Sequence, residues 1–385
     1  MTIEMKNNKN NNCNFPTLRF PEFSGEWKKD IIGNVISVKS EKYNPHSNRT
    51  EFICVELESI SQGTGELLET FNSAEQKSIK NKFSPGTVLF GKLRPYLRKF
   101  YLPYFEGVCS SEIWVMRSNK IEPAFLYSFI QTPYFISLAN QSSGSKMPRA
   151  DWGLIETSKI AYPPNSAERV KIGKFLKLID ERIATQNKII EEYKKLKNAL
   201  AELFFAKSIE YTSIGEMCDV VMGQSPSSVA YNYTKNGLPL IQGNLDIFEG
   251  VTSPRMWTSD ITKQCDIGDI ILTVRAPVGD VAKSNMIACV GRGVCAIKVK
   301  ESGCSEYVYQ YLLYFKAKWG SIEQGSTFSA ISRNDILNIN IPVITKRLIV
   351  ASHLLALFDS EISIEALNLN VYTKQKQYLL TKMFI

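Results

Sequence analysis

The sequence predicts an α+β protein in which two mixed α/β globular domains alternate with two long helices. Three observations lead to this prediction: a stretch with helical apolar periodicity in the middle of the chain, a second such stretch at an offset of 179, and landmarks in the segments before each stretch that recur at an offset near 182. Together they indicate an internal duplication with pseudo-two-fold character. The predicted boundaries are a disordered tail over 1–14, a first globular domain over 15–163, a central helix over 164–207, a second globular domain over 208–343 and a C-terminal helix over 344–385.

The central helix is predicted from an apolar seam with alternating steps of three and four residues, which is typical of a coiled coil. Pro163 and Pro164, followed by Asn165 or Ser166 as the N-cap and Glu168 in the first turn, mark its start. Lys, Glu and Asn occupy its other faces. The seam residues are Leu176, Ile179, Ile183, Ile190, Tyr193, Leu196, Leu200 and Phe204.

The C-terminal helix is predicted from the same seam, which recurs at an offset of 179. Every position of this second seam except Gln375 is apolar, and Asp180 coincides with Asp359. Because two matching seams occur in one chain, we expect the two helices to pair with each other, antiparallel, with the globular domains held at opposite ends. The second seam consists of Leu355, Phe358, Ile362, Leu369, Tyr372, Gln375, Leu379 and Met383.

The first globular segment reads as short strands and helices separated by turn signals. A helix from Pro123, either continuous or broken at Pro133, is expected because proline is tolerated in a first turn and interrupts a helix interior. The other expected elements are a strand or short helix near 27–38, a strand over 51–57, a Ser/Gly/Thr-rich loop over 59–65, a strand after the turn at Pro85-Gly86, a strand over 108–117 and a last strand before the central helix.

The second globular segment repeats these landmarks in order. Gly86 matches Gly268 and Pro95 matches Pro277, both at an offset of 182. The polar loop at 144–149 falls on the loop at 325–333. Since the helices keep their seam while the globular segments have diverged, we interpret the helices as a shared scaffold and the globular surfaces as variable.

Composition places the chain among ordinary globular proteins, with 44% hydrophobic and 22% charged residues. The Asn- and Lys-rich start lacks an apolar core, so we predict neither a signal peptide nor a membrane span. The eight cysteines are scattered without a C-x-x-C pair, and only two histidines are present. This pattern argues against structural zinc and favours reduced, buried cysteines in a cytoplasmic protein. The net charge of +8 is compatible with nucleic acid but does not establish it.

The motifs of catalysis are missing. The segment GTVLFGK at 86–92 fits a phosphate-loop spacing, but strand formers fill it and Leu93 replaces the Ser or Thr that would hold magnesium. A DNA methyltransferase would need a glycine-rich cofactor turn and an [N/D]-P-P-[Y/F] motif, and neither occurs. The carboxylate pair Glu191-Glu192 lies on the solvated face of the predicted helix. We therefore predict no catalytic residues, no metal site and no enzyme activity for this chain.

Signals for nucleic-acid binding are stronger, because cations alternate with aromatic residues and Gly/Ser-rich loops recur in both halves. Arginine and lysine neutralise phosphates, and arginine also forms paired hydrogen bonds with guanine. For each residue alone a solvated surface role is an equal alternative, but matched sets in both halves favour binding. The candidates are Lys92, Arg94, Arg98, Lys99, Ser145, Lys146, Arg149, Gln224, Arg275, Lys283, Ser326, Thr327 and Arg333, with the polar loop 242–244 beside them.

The order of these features resembles the specificity subunit of type I restriction–modification enzymes. The resemblance extends from Leu18 to Phe384 and depends on the opening LRFPEFSGEW, the strand starts GTVL and GDIIL, the Gly-Ser loops, and the I-x-x-P entry to helices that carry L-x-x-[I/F]-D-x-x-I. Where many members have Glu-Gln in the first helical turn, this chain has Glu168-Arg169 and Lys346-Arg347.

The resemblance implies that each globular domain is a target-recognition domain for one half of a bipartite, asymmetric DNA sequence. The paired helices would set the spacer, since about 40 helical residues span roughly 60 Å. It also implies two methyltransferase subunits docked on the helices, which bind S-adenosylmethionine, and motor–nuclease subunits, which use ATP and Mg²⁺. This chain would hold no cofactor of its own.

Two alternatives from other classes stay open at this point. The chain could be a coiled-coil scaffold whose globular domains read no DNA. It could also be a self-contained methyltransferase or nuclease, against which the missing motifs argue.

Overall fold

The computed structural model describes residues 14–47, 50–141, 147–207, 210–301, 303–319 and 330–385. Except for Asn14, the predicted tail lies outside these residues. The chain forms two compact units. Unit 1 consists of Met1–Lys188 with Leu367–Ile385, and unit 2 consists of Ile189–Ala366.

Unit 1 contains two sheets and a separate strand pair. The five-stranded sheet has the order β2-β5-β8-β3-β4, in which only β3 and β8 run parallel, and the three-stranded antiparallel sheet has the order β7-β6-β9. β1 pairs antiparallel with β10, from Lys28 opposite Tyr162 to Ile31 opposite Lys159. The strands are β1 (Lys28–Ile31), β2 (Lys42–Tyr43), β3 (Ile53–Val55), β4 (Phe71–Asn72), β5 (Lys80–Phe83), β6 (Val88–Gly91), β7 (Phe100–Tyr101), β8 (Gly107–Cys109), β9 (Ile113–Met116) and β10 (Lys159–Tyr162).

The helices of unit 1 cover an aromatic core. The helix predicted from Pro123 is broken, because Pro133 starts a new helix that the Thr132 side chain caps. Trp27, Phe125 and Phe384 meet in this core with ring centroids 5.2 to 6.3 Å apart, so the end of the last long helix is packed into the domain. The helices are α1 (Ile32–Val35), α2 (Pro123–Phe129), α3 (Pro133–Ala139), α4 (Trp152–Glu156), the part of α5 (Ser166–Phe205) up to Lys188, and the part of α9 (Lys346–Lys382) from Leu367.

Unit 2 also contains two sheets and a strand pair. The six-stranded sheet has the order β12-β22-β19-β20-β16-β15 and the five-stranded sheet the order β13-β17-β14-β21-β18. β11 pairs antiparallel with β23, from Tyr211 opposite Pro342 to Ser213 opposite Asn340. The strands are β11 (Tyr211–Ser213), β12 (Cys218–Met222), β13 (Tyr231–Asn232), β14 (Leu238–Ile241), β15 (Ile247–Phe248), β16 (Val251–Thr252), β17 (Met256–Thr258), β18 (Gln264–Cys265), β19 (Ile270–Thr273), β20 (Val281–Lys283), β21 (Ala288–Val290), β22 (Val294–Val299) and β23 (Asn340–Pro342).

The core of unit 2 is built like that of unit 1. Phe205, at the end of α5, packs against Tyr307 and Tyr311 with centroids 6.1 and 5.4 Å apart. Phe205 matches Phe384 at the offset of 179, and Tyr307 matches Phe125 at the offset of 182, so the same packing is repeated. The helices are α6 (Ile214–Met217), α7 (Ser305–Phe315), α8 (Arg333–Leu337), the part of α5 from Ile189, and the part of α9 up to Ala366.

The predicted fold class is confirmed, including the duplication and the antiparallel contact of α5 with α9. In unit 1 the Arg182 guanidinium lies over the Tyr372 ring at 4.1 Å, and in unit 2 Tyr193 meets Phe358 at 6.2 Å. Two details differ from expectation. The strand expected over 108–117 is two strands, β8 and β9, because residues 110–112 form a turn that passes the chain to the other sheet. The short helices α4 and α8 have no counterpart in the prediction.

The seam of the helix pair follows the predicted residues with one shift. Leu196 and Gln375 face solvent, and the next residues, Lys197 and Lys376, turn inward instead. The inward residue after Tyr193 is thus four positions away rather than three. In unit 1, Leu176, Ile179, Ile183 and Leu379 are buried and Leu369 and Tyr372 pack against them; in unit 2, Ile190 and Leu355 are buried, Leu200 packs against the core and Ile362 is half-buried.

Candidate nucleic-acid interface

In unit 1 the two predicted binding loops meet beyond the end of β6. The Arg94 amide donates to the carbonyl oxygen of Pro148 (2.7 Å), and the Ala150 amide donates to that of Lys92 (2.8 Å). The Lys92 amide in turn donates to the carbonyl oxygen of Glu112 (2.9 Å). Backbone hydrogen bonds therefore join the segments 92–94, 110–112 and 148–150 at one edge of the three-stranded sheet.

The turn that carries the arginines of unit 1 has an uncommon backbone. Arg94 and Arg98 both have φ of 51°, the left-handed region, on either side of a 3₁₀ turn over Pro95–Leu97. Non-glycine residues in this region cost about 1 kcal/mol or more and often occur at functional sites. This geometry leaves Arg94 exposed, and Tyr96 beside it is 54% exposed.

Two of the predicted cations of this turn are directed into the domain. Arg98 donates to the carbonyl oxygen of Gln131 (3.2 Å), and burial lowers the pKa of its guanidinium. Lys99 donates to the carbonyl oxygen of Leu57 (2.6 Å), and burial also lowers its pKa. These contacts hold the turn against the domain, so the two side chains are less available to DNA than Arg94.

The other described cations of these loops, Arg149 and Lys92, lie beside Arg94. Arg149 is exposed and forms an ion pair with Glu112, Nε to Oε2 at 3.0 Å. A surface pair of this kind contributes little to stability, so a phosphate can replace the carboxylate at small cost. Lys92 is half-buried beside it.

In unit 2 the equivalent loops also meet, beyond the end of β19. The Ile331 amide donates to the carbonyl oxygen of Val274 (2.9 Å), and Arg275 forms an isolated bridge with Ala330. In unit 1 the corresponding bridge joins Leu93 to Arg149. Both units therefore contain the same pairing of two loops, which we call the clasp: residues 92–94 with 148–150 in unit 1, and 274–275 with 330–331 in unit 2. The side chains that the clasp exposes differ between the units.

Three further segments of unit 2 surround this clasp. The Gly291 amide donates to the carbonyl oxygen of Ile241 (2.8 Å) and the Gln224 amide to that of Val290 (2.9 Å). The turn at 291–293 thus connects Gln224, the predicted polar loop 242–244 and the Arg275 loop, since the Val274 amide also donates to Gly293 (2.9 Å). Gln224 and Arg275 are both exposed.

Arg292 is a functional candidate that the sequence reasoning missed. It is exposed at the tip of the turn between β21 and β22, in the middle of the cluster. Its flanking residues Gly291 and Gly293 carry the hydrogen bonds that gather the loops. The signal was present as Gly-Arg-Gly between two strand-forming segments, at the position where the first half has Ser-Ser-Glu.

The structure separates Lys283 from this cluster. Lys283 pairs with Ile270 at the beginning of β19, whereas Arg275 follows the end of that strand. Its ammonium forms an ion pair with Glu306 and lies 4.6 Å from the centroid of the Tyr309 ring. Arg333, in contrast, is exposed near the clasp and donates from Nε to the carbonyl oxygen of Val220 (3.1 Å).

Four predicted candidates, Ser145, Lys146, Ser326 and Thr327, lie outside the described residues. Their loops enter the clasp through the described segments 147–150 and 330–333. Within the part of the chain that is described, no group of three or more His, Cys, Asp or Glu side chains is placed to hold a metal ion. Among the same residues, no helix has the length and hydropathy to cross a membrane.

The geometry in each unit suits recognition of a polyanion with a pattern of polar groups. Exposed arginines and loop amides project from strand ends, where the sheets fix their positions. Phosphate contacts from such groups position a protein on DNA, and base-edge contacts specify the sequence.

Comparison with known proteins agrees with this geometry. The family model described as "Type I restriction modification DNA specificity domain" matches residues 3–195 and again 207–346. A curated relative, the putative type I restriction enzyme MjaX specificity subunit of Methanocaldococcus jannaschii, is 29% identical over 373 residues, covering 86% of this chain and 86% of that protein. The EcoDI specificity subunit of Escherichia coli is 24% identical over 177 residues, covering 43% of this chain and 39% of that protein.

Solved structures resemble the whole chain. A chain from a structure of "complex assembly and conformational transition of the type I R-M system" is 26% identical with a TM-score of 0.58, covering 93% of this chain and 97% of that one. The S subunit of a type I restriction-modification system from M. genitalium, at 15% identity, shares the fold with a TM-score of 0.64 and covers 96% and 99% of the two chains. This chain therefore belongs to the type I restriction modification DNA specificity family, and it is a DNA specificity subunit, the non-catalytic part of such a system.

Proposed function

We propose that each unit reads one half of a bipartite, asymmetric target in double-stranded DNA and that the paired helices set the spacer between the halves. The observation that carries this proposal is the repeated clasp, which gathers polar loops beyond β6 in unit 1 and beyond β19 in unit 2. The backbone hydrogen bonds that join the loops recur in both units, while the exposed side chains differ. Two domains with the same arrangement of loops but different exposed side chains suit an asymmetric target.

The DNA-contacting set is proposed from the exposed members of the clusters: Arg94 and Arg149 in unit 1, and Gln224, Arg275, Arg292 and Arg333 in unit 2. Lys92 is a secondary candidate because it is half-buried. Arg98, Lys99 and Lys283 have a positioning role in this proposal, because their side chains are engaged within the domains.

We propose the partners and cofactors that the family resemblance implies. The chain works in the cytoplasm with two methyltransferase subunits docked on the helix pair and with motor–nuclease subunits. S-adenosylmethionine, ATP and Mg²⁺ are bound by those subunits and not by this chain. The likeness to a chain from a type I complex assembly supports this arrangement.

A domain exchange tests the half-site assignment. Replacing the segment 15–163 by that of a relative with a different target, in cells that carry the complete system, should change one half of the methylated motif and leave the other half and the spacer length unchanged. Sequencing of methylated bases reports both halves and the spacer together. A motif that changed in both halves, or in neither, would contradict the modular assignment; no change would support the scaffold alternative.

Single substitutions test the residues. If Arg94 or Arg275 contacts a phosphate, its change to Ala should weaken binding to all sequences and lower the slope of log affinity against log salt by about one. If it contacts a base, the loss should be about 1–3 kcal/mol and confined to one position of the target. Lys195→Ala is the matched control, since Lys195 is exposed on α5 and pairs with Glu192 on the same helix. Unchanged binding for all of the exposed arginines would refute the proposed surface.

A further inference from the structure

Each unit contains an ion pair between the two long helices, and the two pairs are equivalent by the duplication; the lysine is largely buried in both, while the aspartate is buried in unit 1 and 40% exposed in unit 2. In unit 1 Asp180 of α5 pairs with Lys376 of α9, and only 13% and 9% of these side chains is exposed. In unit 2 Asp359 of α9 pairs with Lys197 of α5 at 2.5 Å. The two aspartates match at the offset of 179, and so do the two lysines, so the pair is repeated with the helices exchanged.

A buried tyrosine from the globular domain accompanies each pair. Tyr127 of α2 and Tyr309 of α7 are equivalent at an offset of 182 and are 6% and 8% exposed. Burial raises the pKa of each hydroxyl, and the negative charge of Asp180 or Asp359 raises it further. In unit 1 Tyr127 and Asp180 line the same cavity, and in unit 2 Gln310, the neighbour of Tyr309 on α7, donates to Asp359 at 2.8 Å. We call Tyr127–Asp180–Lys376 and Tyr309–Asp359–Lys197 the junction triads.

The tyrosine of each triad also approaches a loop that precedes the proposed DNA-reading turn of its unit. A Cβ at Gly65, which has φ of +75°, would overlap the Tyr127 hydroxyl, and a Cβ at Gly250, with φ of +76°, would lie 2.7 Å from the Tyr309 hydroxyl. A glycine with left-handed backbone thus permits close approach to the tyrosine in both units.

The strand that follows each DNA-reading turn reaches its triad as well. In unit 1 Lys376 lies 5.6 Å from the ring centroid of Phe100, which begins β7. In unit 2 Lys283, which ends β20, lies over the Tyr309 ring at 4.6 Å. Helix pair, domain helix and recognition strand therefore converge on one point in each unit.

We propose that the junction triads are the positioning residues that hold each DNA-reading domain at one register on the helix pair, and that they thereby restrict the spacer length the subunit accepts. The inference deepens the proposed function and rests on it. One base pair added to a spacer moves the half-sites apart by about 3.4 Å and rotates them by about 35°. Rejecting such a target requires each domain to be held within a comparable tolerance.

The physical argument concerns what an apolar seam cannot specify. Leucine and isoleucine seams repeat along a helix pair, so neighbouring registers bury similar apolar area. A buried lysine has its partner only in the helix register that places the aspartate opposite it. Displacing one helix along the other leaves a buried charge without a partner. Such pairs add little net stability but can select one register, and the same aspartate and lysine positions form the pair in both units.

The test measures spacer discrimination in the complete complex. Methylation is followed on duplexes that carry both half-sites with the native spacer or with one base pair more or fewer. For Asp180→Asn with Lys376→Met, we expect the preference for the native spacer to fall about tenfold or more, because a displaced register then no longer leaves a buried charge unpaired, and that penalty exceeds the energy equivalent of a tenfold factor. Base preferences within each half-site should stay unchanged.

Two further variants keep the test decisive. Tyr127→Phe is a milder change that should fold and should lower the preference in the same direction, and Lys195→Met is a matched control that should leave it unchanged. If the variants methylated the duplexes with all three spacer lengths more slowly by the same factor, the preference for the native spacer would be intact. That result would overturn the inference in favour of a merely structural role. A wild-type complex that methylates all spacer lengths equally would overturn the proposal that the paired helices set the spacer. The two failures are therefore distinguishable.

Discussion

Replacing Glu168 should destabilise unit 1 because this carboxylate connects the first turn of α5 to the N-terminal segment. Glu168 is 1% exposed, and Arg19 forms two hydrogen bonds with it, from Nε to Oε1 at 2.7 Å and from Nη2 to Oε2 at 2.8 Å. The indole of Trp27 donates to the same Oε1 at 3.3 Å. The interaction with Glu168 raises the pKa of the Arg19 guanidinium, so arginine remains fully charged at every accessible pH.

The expected cost follows from burial. Removing one partner of a buried ion pair costs about 3–5 kcal/mol, since the other charge is left unpaired. Arg19 is 14% exposed and keeps hydrogen bonds to the carbonyl oxygens of Ser24 and Gly25, which places the estimate near the lower end. We expect Glu168→Ala to lower the free energy of unfolding of unit 1 by about 3 kcal/mol.

The measurement has to separate the two units, because a chain with two compact units need not unfold in one step. Hydrogen exchange in increasing urea, read on peptides from 166–188 and from 189–205, gives each unit its own free energy. Lys171→Ala is the matched control. Its ion pair with Glu22 lies on the surface, with side chains 47% and 45% exposed, and its loss should cost less than about 1 kcal/mol.

A loss below about 1 kcal/mol for Glu168→Ala, or a loss no larger than that of the control, would refute this reasoning. An equal loss in peptides of unit 2 would show that the effect is not local to the first turn of α5.

Two further predictions concern backbone packing and the thiols. Gly223→Ala should destabilise unit 2 by about 2 kcal/mol or more in urea unfolding. The reason is that its Cβ would overlap the carbonyl oxygen of Gly291 and lie 2.6 Å from that of Val294. Gly243→Ala is the control and should cost under about 0.5 kcal/mol, because a Cβ at Gly243 would have no atom within 4 Å. Equal costs would show that the backbone yields freely. All seven described cysteines are buried, and burial raises the pKa of the Cys54 and Cys295 thiols to about 12. In a Cys13→Ser variant these thiols should stay unreactive toward a disulfide reagent at pH 8 until urea is added, since only the thiolate attacks the reagent. Rapid reaction of the native protein would contradict the described packing.

The candidate site shows what could be predicted from the sequence and what could not. The loops around Arg94, Arg149, Arg275 and Arg333 were recognised because glycine, serine and proline interrupt the strand pattern there. Their meeting in space was not predictable, since the clasp depends on hydrogen bonds between segments that are far apart in the chain, such as 92–94 and 148–150. Arg98 has the same chemistry as Arg94 and follows it by one short turn, yet packing directs it toward Gln131.

The sequence by itself determined the α+β class, the duplication and the pairing of the long helices. These follow from periodicity and from a constant offset, which are properties of the chain read in order. Tertiary structure alone decided which candidate cations are exposed and which are engaged within the domain, because side-chain direction depends on neighbours distant in sequence. It also placed Lys197 and Lys376 in the helix seam where Leu196 and Gln375 were expected, since a buried lysine is acceptable only where a folded neighbour supplies its aspartate.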